Sequence, residues 1–253
     1  MWAVAEVLNN PVLSLDIRRK AKEIFLRAFP HAEKLTHLRS QAFVIKALII
    51  AQKELPEHRA EFLALIHEFA KSLVSALNKN SDGSWNWFEG HLGYSNALLS
   101  ESLLLAGSVL KNEEYLQLGK SSLQFLIDKT FLTNMYVPIG HAKWYKKNEE
   151  RSYFDQQPED PCSMILALAT AYTITHVESY KNLANKCFSW FLGNNSLHQS
   201  LYDYESGGCY DGLHPDRVNL NQGAESLVSY LLSRLAMTKL EAYENSTTTE
   251  PLS

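Results

Sequence analysis

The sequence predicts an all-α protein, a barrel of helical hairpins of which about four are present. Three observations predict it. Apolar residues recur with the helical period along most of the chain. Segments with one apolar face alternate with segments apolar nearly all round, the pattern of outer helices laid on buried inner ones. The inner segments start near residues 37, 96, 161 and 223, at intervals of 59, 65 and 62, a regularity that stacked hairpins produce.

In chain order, an outer helix at 16–29 leads to an inner helix at 37–53. The outer helix 57–77 places Phe62, Ile66, Phe69, Leu73 and Leu77 at near-helical spacing. Inner 96–110 is followed by outer 113–129, and inner 161–175 carries the run CSMILALATAYTI. Outer 178–193 has the cleanest stripe: Tyr180, Leu183, Ala184, Cys187, Phe188 and Phe191 oppose Lys181, Asn182, Asn185 and Lys186. Inner 223–240 closes the series. Residues 1–243 read as a single domain, and ENSTTTEPLS (244–253), polar and containing Pro251, reads as a disordered tail.

The connections alternate in length. Inner-to-outer links are short (54–56, 111–112, 176–177), and outer-to-inner links are long (30–36, 78–95, 130–160, 194–222). Antiparallel hairpins bring links of one parity to one end, so the long loops share a rim at the N-termini of the inner helices. Free N–H groups and positive dipole ends gather there. Long ordered loops in a compact domain commonly carry function. Loops 130–160 and 194–222 have room for short hairpins but not for a sheet.

Composition narrows the function classes. A chain of 253 residues, 45% hydrophobic, can bury one substantial core. Net charge is −4 with no basic block, which argues against nucleic acid or an anionic membrane as partner. The start, MWAVAEVLNN, lacks a basic n-region, and no apolar run is long enough to span a bilayer. Three cysteines at wide spacing do not make a disulfide framework, so a reducing cytoplasm is the expected location. Cys209 and His214 lie five apart, but CxxC and HExxH are missing, so no metal is expected. Without a P-loop, GxGxxG or GxSxG, no cofactor is expected either.

The three longest loops hold seven of the eleven glycines and three of the five tryptophans. Sugars present C–H faces that stack on aromatic rings and hydroxyls that need amides and carboxylates. Loop 78–95 sets Glu89 among Trp85, Trp87, Phe88 and Tyr94, and Asn96 follows it. A carboxyl in apolar company can hold its proton and act as a general acid; the plainer alternative is a turn at Asp82-Gly83, a helix cap at Ser95 or Asn96 and aromatics that plug the barrel. Loop 130–160 offers His141, Trp144, Tyr145 and then YFDQQPEDP, where Asp155 is a candidate acid or base and Gln156 and Gln157 are candidate hydroxyl ligands. Helix capping by Asp155 or Asp160 is the alternative there. In loop 194–222 Asp203, Asp211, His214 and Asp216 are polar candidates, and Asn221, Gln222 and Glu225 straddle the last inner helix start. A helix N-terminus stabilises a carboxylate, which suits Glu225 to a base or simply to a first-turn acid.

Three motifs, WNWFEGHLGYSNALLSESLL (85–104), YFDQQPEDP (153–161) and GGCYDGLHPDRVNLNQGAESLVSYLL (207–232), resemble a bacterial family of glycosyltransferase-associated helical domains. The resemblance covers most of residues 36–240 and implies the (α/α) toroid of the six-hairpin glycosidase-like superfamily, here with about four hairpins. It also implies a glycosyltransferase domain or chain as partner, although the sequence shows no Rossmann-like βαβ pattern of its own. The expected function is binding of an oligosaccharide at the rim of loops 78–95, 130–160 and 194–222, with glycoside hydrolase-like chemistry. Glu89 or Asp155 would be the acid and Glu225 or Asp155 the base. Toroids of this kind are often inverting, which needs the two carboxyls about 6.5–9.5 Å apart. The alternatives are a non-catalytic glycan-binding or accessory module, and epimerase or lyase chemistry on His141, His214 or Tyr94.

Overall fold

The computed structural model describes residues 1–247, and the helical pattern becomes nine α-helices among them. They are α1 (Trp2–Leu8), α2 (Leu15–Ala32), α3 (Leu38–Ala51), α4 (Arg59–Asn80), α5 (Ala97–Leu110), α6 (Glu113–Thr130), α7 (Glu159–Thr175), α8 (Glu178–Phe188) and α9 (Ala224–Thr247). Short antiparallel ribbons join β1 (His91–Leu92) to β4 (Tyr145–Lys146), β2 (Phe131–Leu132) to β3 (Met135–Tyr136), and β5 (Gly212–Leu213) to β6 (Val218–Asn219).

Four boundaries differ from expectation. α1 is additional: at seven residues it is too short to hold by propensity, and it is kept by burying Ala5 and Leu8 as it packs on α2 and α3. α7 starts at Glu159 rather than 161, because Pro158 takes the N-cap position and proline is tolerated in a first turn. α8 stops at Phe188 and tightens into a 3-10 turn, Ser189–Leu192, ended by Gly193 at φ 104°. α9 runs on to Thr247, so the expected tail loses its first residues to helix, and the rest of it, 248–253, lies outside the described residues.

The chain divides into two compact units. One comprises Met1–Phe88 and Leu98–Ser121; the other comprises Glu89–Ala97 and the chain from Ser122 onward. In the first unit α1 packs on α2 and α3, and α3 packs on α4. Its core includes Phe25, Ile45, Leu48, Phe62, Ile66 and Leu73, all fully buried. Each such side chain contributes about 1.5–3 kcal/mol through removal from water.

In the second unit α7 packs on both α8 and α9. The inner character of α7 is clear from its burial on nearly every side, from Asp160 to Tyr172. An aromatic group packs within the unit: Tyr230 of α9 lies 5.5 Å from Phe191, edge to face, and stacks at 4.6 Å on Tyr202. The Arg151 guanidinium donates to the carbonyls of Lys129, Val137 (3.0 Å) and Pro138 (2.8 Å), which ties the long loop before α7 to the end of α6.

Candidate active site

Within the second unit the backbone brings three loop segments edge to edge. Gly140 N–H donates to Ser152 O (2.8 Å), His141 N–H to Asp155 O (2.7 Å) and Ala142 N–H to Phe154 O (3.2 Å). On the far side, Gln156 and Leu213 exchange both backbone hydrogen bonds, at 3.0 and 2.9 Å. Two glycines permit this approach. A Cβ on Gly140 would collide with the Phe154 backbone, and Gly212 adopts φ +147° with its α-carbon against Gln156 O. His141, Asp155 and His214 therefore stand on one small platform.

Their side chains form two imidazole–carboxylate pairs. His141 Nε2 lies 2.7 Å from Asp160 Oδ2, and His214 Nδ1 lies 2.5 Å from Asp155 Oδ1. Asp160 is buried in the first turn of α7, while Asp155 and His214 are partly open to solvent. Burial opposes the charge on His141, but the hydrogen bond and the charge of Asp160, with Glu159 and Asp155 nearby, hold its pKa above the ordinary histidine value.

Glu159, the neighbour of Asp160 in that first turn, is the fifth member. Ser95 Oγ–H donates to it. Its carboxyl is pushed up, first by burial and then by the charges of Asp160 and Glu225, against the lowering effect of Ser95 and His141. Glu225 stands exposed in the first turn of α9. The start of α9 is fixed by Asp211, whose Oδ1 accepts from Gly223 N–H (2.7 Å) and Ser226 Oγ–H (2.6 Å). Behind Asp160 a cavity of about 10 Å³, lined by Asn96, Thr130, Tyr136 and Ser163 among others, has room for one water. A larger ligand has to meet the cluster from its open side.

Of the expected site residues, Asp155, His141, His214 and Glu225 come together here. Gln157 is half-buried and its carbonyl accepts from Asp160 N–H (3.3 Å). Glu89 sits half-buried two positions before β1. Tyr94 and Trp144 are exposed, at 47% and 37%.

Other expected ligands turn inward. Gln156 is fully buried: Trp190 Nε1–H donates to its Oε1 (2.9 Å), and its Nε2 donates to Ser196 Oγ (2.9 Å) and Tyr153 O (3.0 Å). Its amide braces the platform and leaves none of these groups for a substrate hydroxyl. Asn96 is buried, and its side chain brackets Gly93 through both N–H and C=O, at 3.0 and 2.9 Å. Trp85 and Trp87 belong to the first unit, buried at 3% and 0%, so their faces are not open for stacking. Gln222 donates to Asp203 (2.9 Å) and accepts from Ser206 (3.1 Å); Asn221 is exposed and its carbonyl accepts from Asp211 N–H (2.8 Å). Hydrogen bonds from Ser206, the Glu205 backbone and Gln222 hold Asp203 down to about 2, a turn anchor.

Two residues escaped the sequence reading. The apolar period sets the helix start at 161 and leaves Glu159 outside it, although P-E-D-P is an acid-rich first turn behind a proline. His91 stacks on Trp144 through the β1–β4 ribbon, a long-range pairing without local signal.

Among the described residues no group of three or more His, Cys, Asp or Glu is arranged to hold a metal, and no helix is long and apolar enough to cross a membrane. No family model matches the chain, and no curated protein matches it. Solved structures do. The fold they define is the (α/α) toroid, built of helical hairpins with inner and outer helices. One is an unsaturated glucuronyl hydrolase specific for heparin, 13% identical, with a TM-score of 0.56 over 76% of this chain and 55% of that one. Another is a D-mannose isomerase, 18% identical, with a TM-score of 0.53 over 83% of this chain and 58% of that one. At such identities the likeness shows the fold alone, and the chain spans a little over half the length of either structure.

Proposed function

We propose that this chain is a carbohydrate-active enzyme of glycoside hydrolase-like chemistry, with Glu159 as proton donor and Glu225 as base. The observation that carries the reading is the pairing of two carboxyls in unlike surroundings. Glu159 is half-buried and its pKa is pushed up by burial and by the charges of Asp160 and Glu225, which suits it to donate a proton; Glu225 stands exposed in the first turn of α9. Two such environments divide the acid and base roles. Asp155 orients His214 beside them. The expected roles of Glu89 and Asp155 as acid pass in this reading to Glu159. A glycosyltransferase domain or chain remains the proposed partner, and both solved neighbours are named for sugar substrates, which agrees with a saccharide ligand.

The test is turnover of a broad oligosaccharide panel, followed by reducing-end release. Glu159→Gln and Glu225→Gln are each expected to lower kcat about 10²-fold or more. Undiminished cleavage in both variants would sink the assignment, and saccharide binding without turnover by the unaltered chain would make it a non-catalytic glycan-binding module.

A second reading, sugar isomerisation or epimerisation, is favoured by the His141–Asp160 and His214–Asp155 pairs, since a carboxylate-oriented imidazole can take a proton from carbon. It predicts exchange of a sugar C–H for deuterium in D2O, lost in His214→Asn. Hydrolysis alone would leave the C–H unexchanged.

A further inference from the structure

The β1–β4 ribbon of the second unit pairs His91 with Lys146 and Leu92 with Tyr145. On it the imidazole of His91 and the indole of Trp144 stack at 5.2 Å between centroids, with an interplanar angle of 14°. Gly93 lies against both rings: a Cβ there would come within 3.5 Å of the imidazole and 3.8 Å of the indole. Trp144 is held by backbone as well as by stacking. Its N–H donates to Gly140 O (3.0 Å) and its O accepts from Ser152 N–H (2.8 Å), with φ at +60°. A left-handed backbone at a bulky residue is uncommon. Here it fixes a tryptophan that remains 37% exposed although His91 covers one face. Tyr94, 47% exposed, follows on the same segment.

Both strands of this ribbon lead directly to the titratable cluster. Residue 95, four positions after His91, donates to Glu159; residue 141, three positions before Trp144, pairs with Asp160. Chain of that length spans at most about 14 Å. The aromatic pair is thus separate from the acids yet within reach of one extended ligand.

We infer that the stacked His91–Trp144 pair is a saccharide-binding subsite beside the reacting cluster, and that the substrate is an oligosaccharide of two or more units rather than a free monosaccharide. This rests on the carbohydrate reading above and deepens it. One sugar ring lies with its C–H face on Trp144 while the next is presented to Glu159. His91 acts as a positioning residue by holding the indole in plane.

The test uses the full chain and a gluco- or manno-oligosaccharide series of one to four units, with KM and kcat from turnover and Kd from calorimetry. KM is expected to fall at least tenfold between the monosaccharide and the tetrasaccharide. Trp144→Asn removes the ring while keeping a residue that tolerates positive φ. It is expected to raise KM about tenfold on the tetrasaccharide, with an effect that grows with chain length and a smaller effect on kcat. His91→Ala, which leaves the Trp144 backbone untouched, is expected to fall between. A KM independent of length, or a Trp144→Asn effect confined to kcat, overturns the subsite. Tight oligosaccharide binding without turnover keeps the subsite and removes the hydrolase reading. No binding of any length removes both.

Discussion

Ser95 donates its hydroxyl proton to the carboxylate of Glu159, joining residues 64 positions apart in the chain. Ser95 is itself buried, at φ 45°, just before Asn96 and α5. The bond favours the charged carboxylate and so restrains the upward push of burial. Ser95→Ala removes that restraint, and the Glu159 pKa is expected to rise further. The alkaline limb of kcat, where the proton donor is lost, should then move to higher pH. The cost in stability is about 1 kcal/mol, read from denaturant midpoints. A limb that stays put would separate Glu159 from the proton donor.

Glu225 acts on the same group in the opposite sense. Its charge raises Glu159, so Glu225→Gln is expected to lower the Glu159 pKa and shift the alkaline limb downward. The two variants thus move one limb in opposite directions. A merely structural disturbance would move both alike. A pH profile of Glu225→Gln run beside Ser95→Ala decides this, even though kcat itself falls about 10²-fold in the Gln variant.

His141 links the cluster to stability. Its folded pKa is raised above 6.5, so its charged pair with Asp160 contributes fully below pH 6.5 and is lost as pH rises through the raised value. His141→Gln should therefore lower Tm most at pH 5.5–6.5, with the gap to the unaltered chain closing at higher pH. A gap that widens with pH would mean that the neutral imidazole is the stabilising form. Thermal scans at several pH values report the sign.

Much of this architecture was legible in the sequence because helical burial leaves a periodic record. The run CSMILALATAYTI is apolar because α7 packs on both α8 and α9. His141, Asp155 and His214 of the long loops and Glu225 at the helix start that follows lie near one another in the second unit. What escaped was set by tertiary contact. Trp85 and Trp87 stand in a polar, glycine-rich loop, yet they are covered by the first unit's core. Gln156 carries the chemistry of a sugar ligand, and only its burial against Trp190 shows that it braces the platform. Strands two residues long have no period to read, so the His91–Trp144 stack had no sequence signal.

Gln156 is where the platform is most exposed to a single change. Gln156→Leu keeps the volume and removes the acceptor for Trp190 Nε1–H, together with the donor to Ser196. A buried donor left unpaired costs about 1–3 kcal/mol. For a chain of this size that lowers Tm by roughly 2–12 °C. Asp155 and Leu213 flank this residue, so activity should fall with stability. If Tm is unchanged, the amide is not braced as described.

The first unit holds a different liability. Lys46 of α3 and Glu101 of α5 meet at 2.7 Å with side chains only 7% and 4% exposed, and the ammonium lies 4.3 Å over the Trp2 ring. Removing water from two charges costs several kcal/mol per ion, and the pair survives because each offsets the other. Lys46→Met leaves the Glu101 carboxylate buried without its ammonium, which is expected to cost about 3–5 kcal/mol. The double variant Lys46→Met/Glu101→Leu removes both charges, and apolar replacement of a buried pair is often neutral. Denaturant midpoints should therefore rank unaltered and double variant together, with Lys46→Met well below. A double variant as unstable as the single one would show that the ion pair is stabilising in itself, beyond the cost of burying Glu101 without its ammonium.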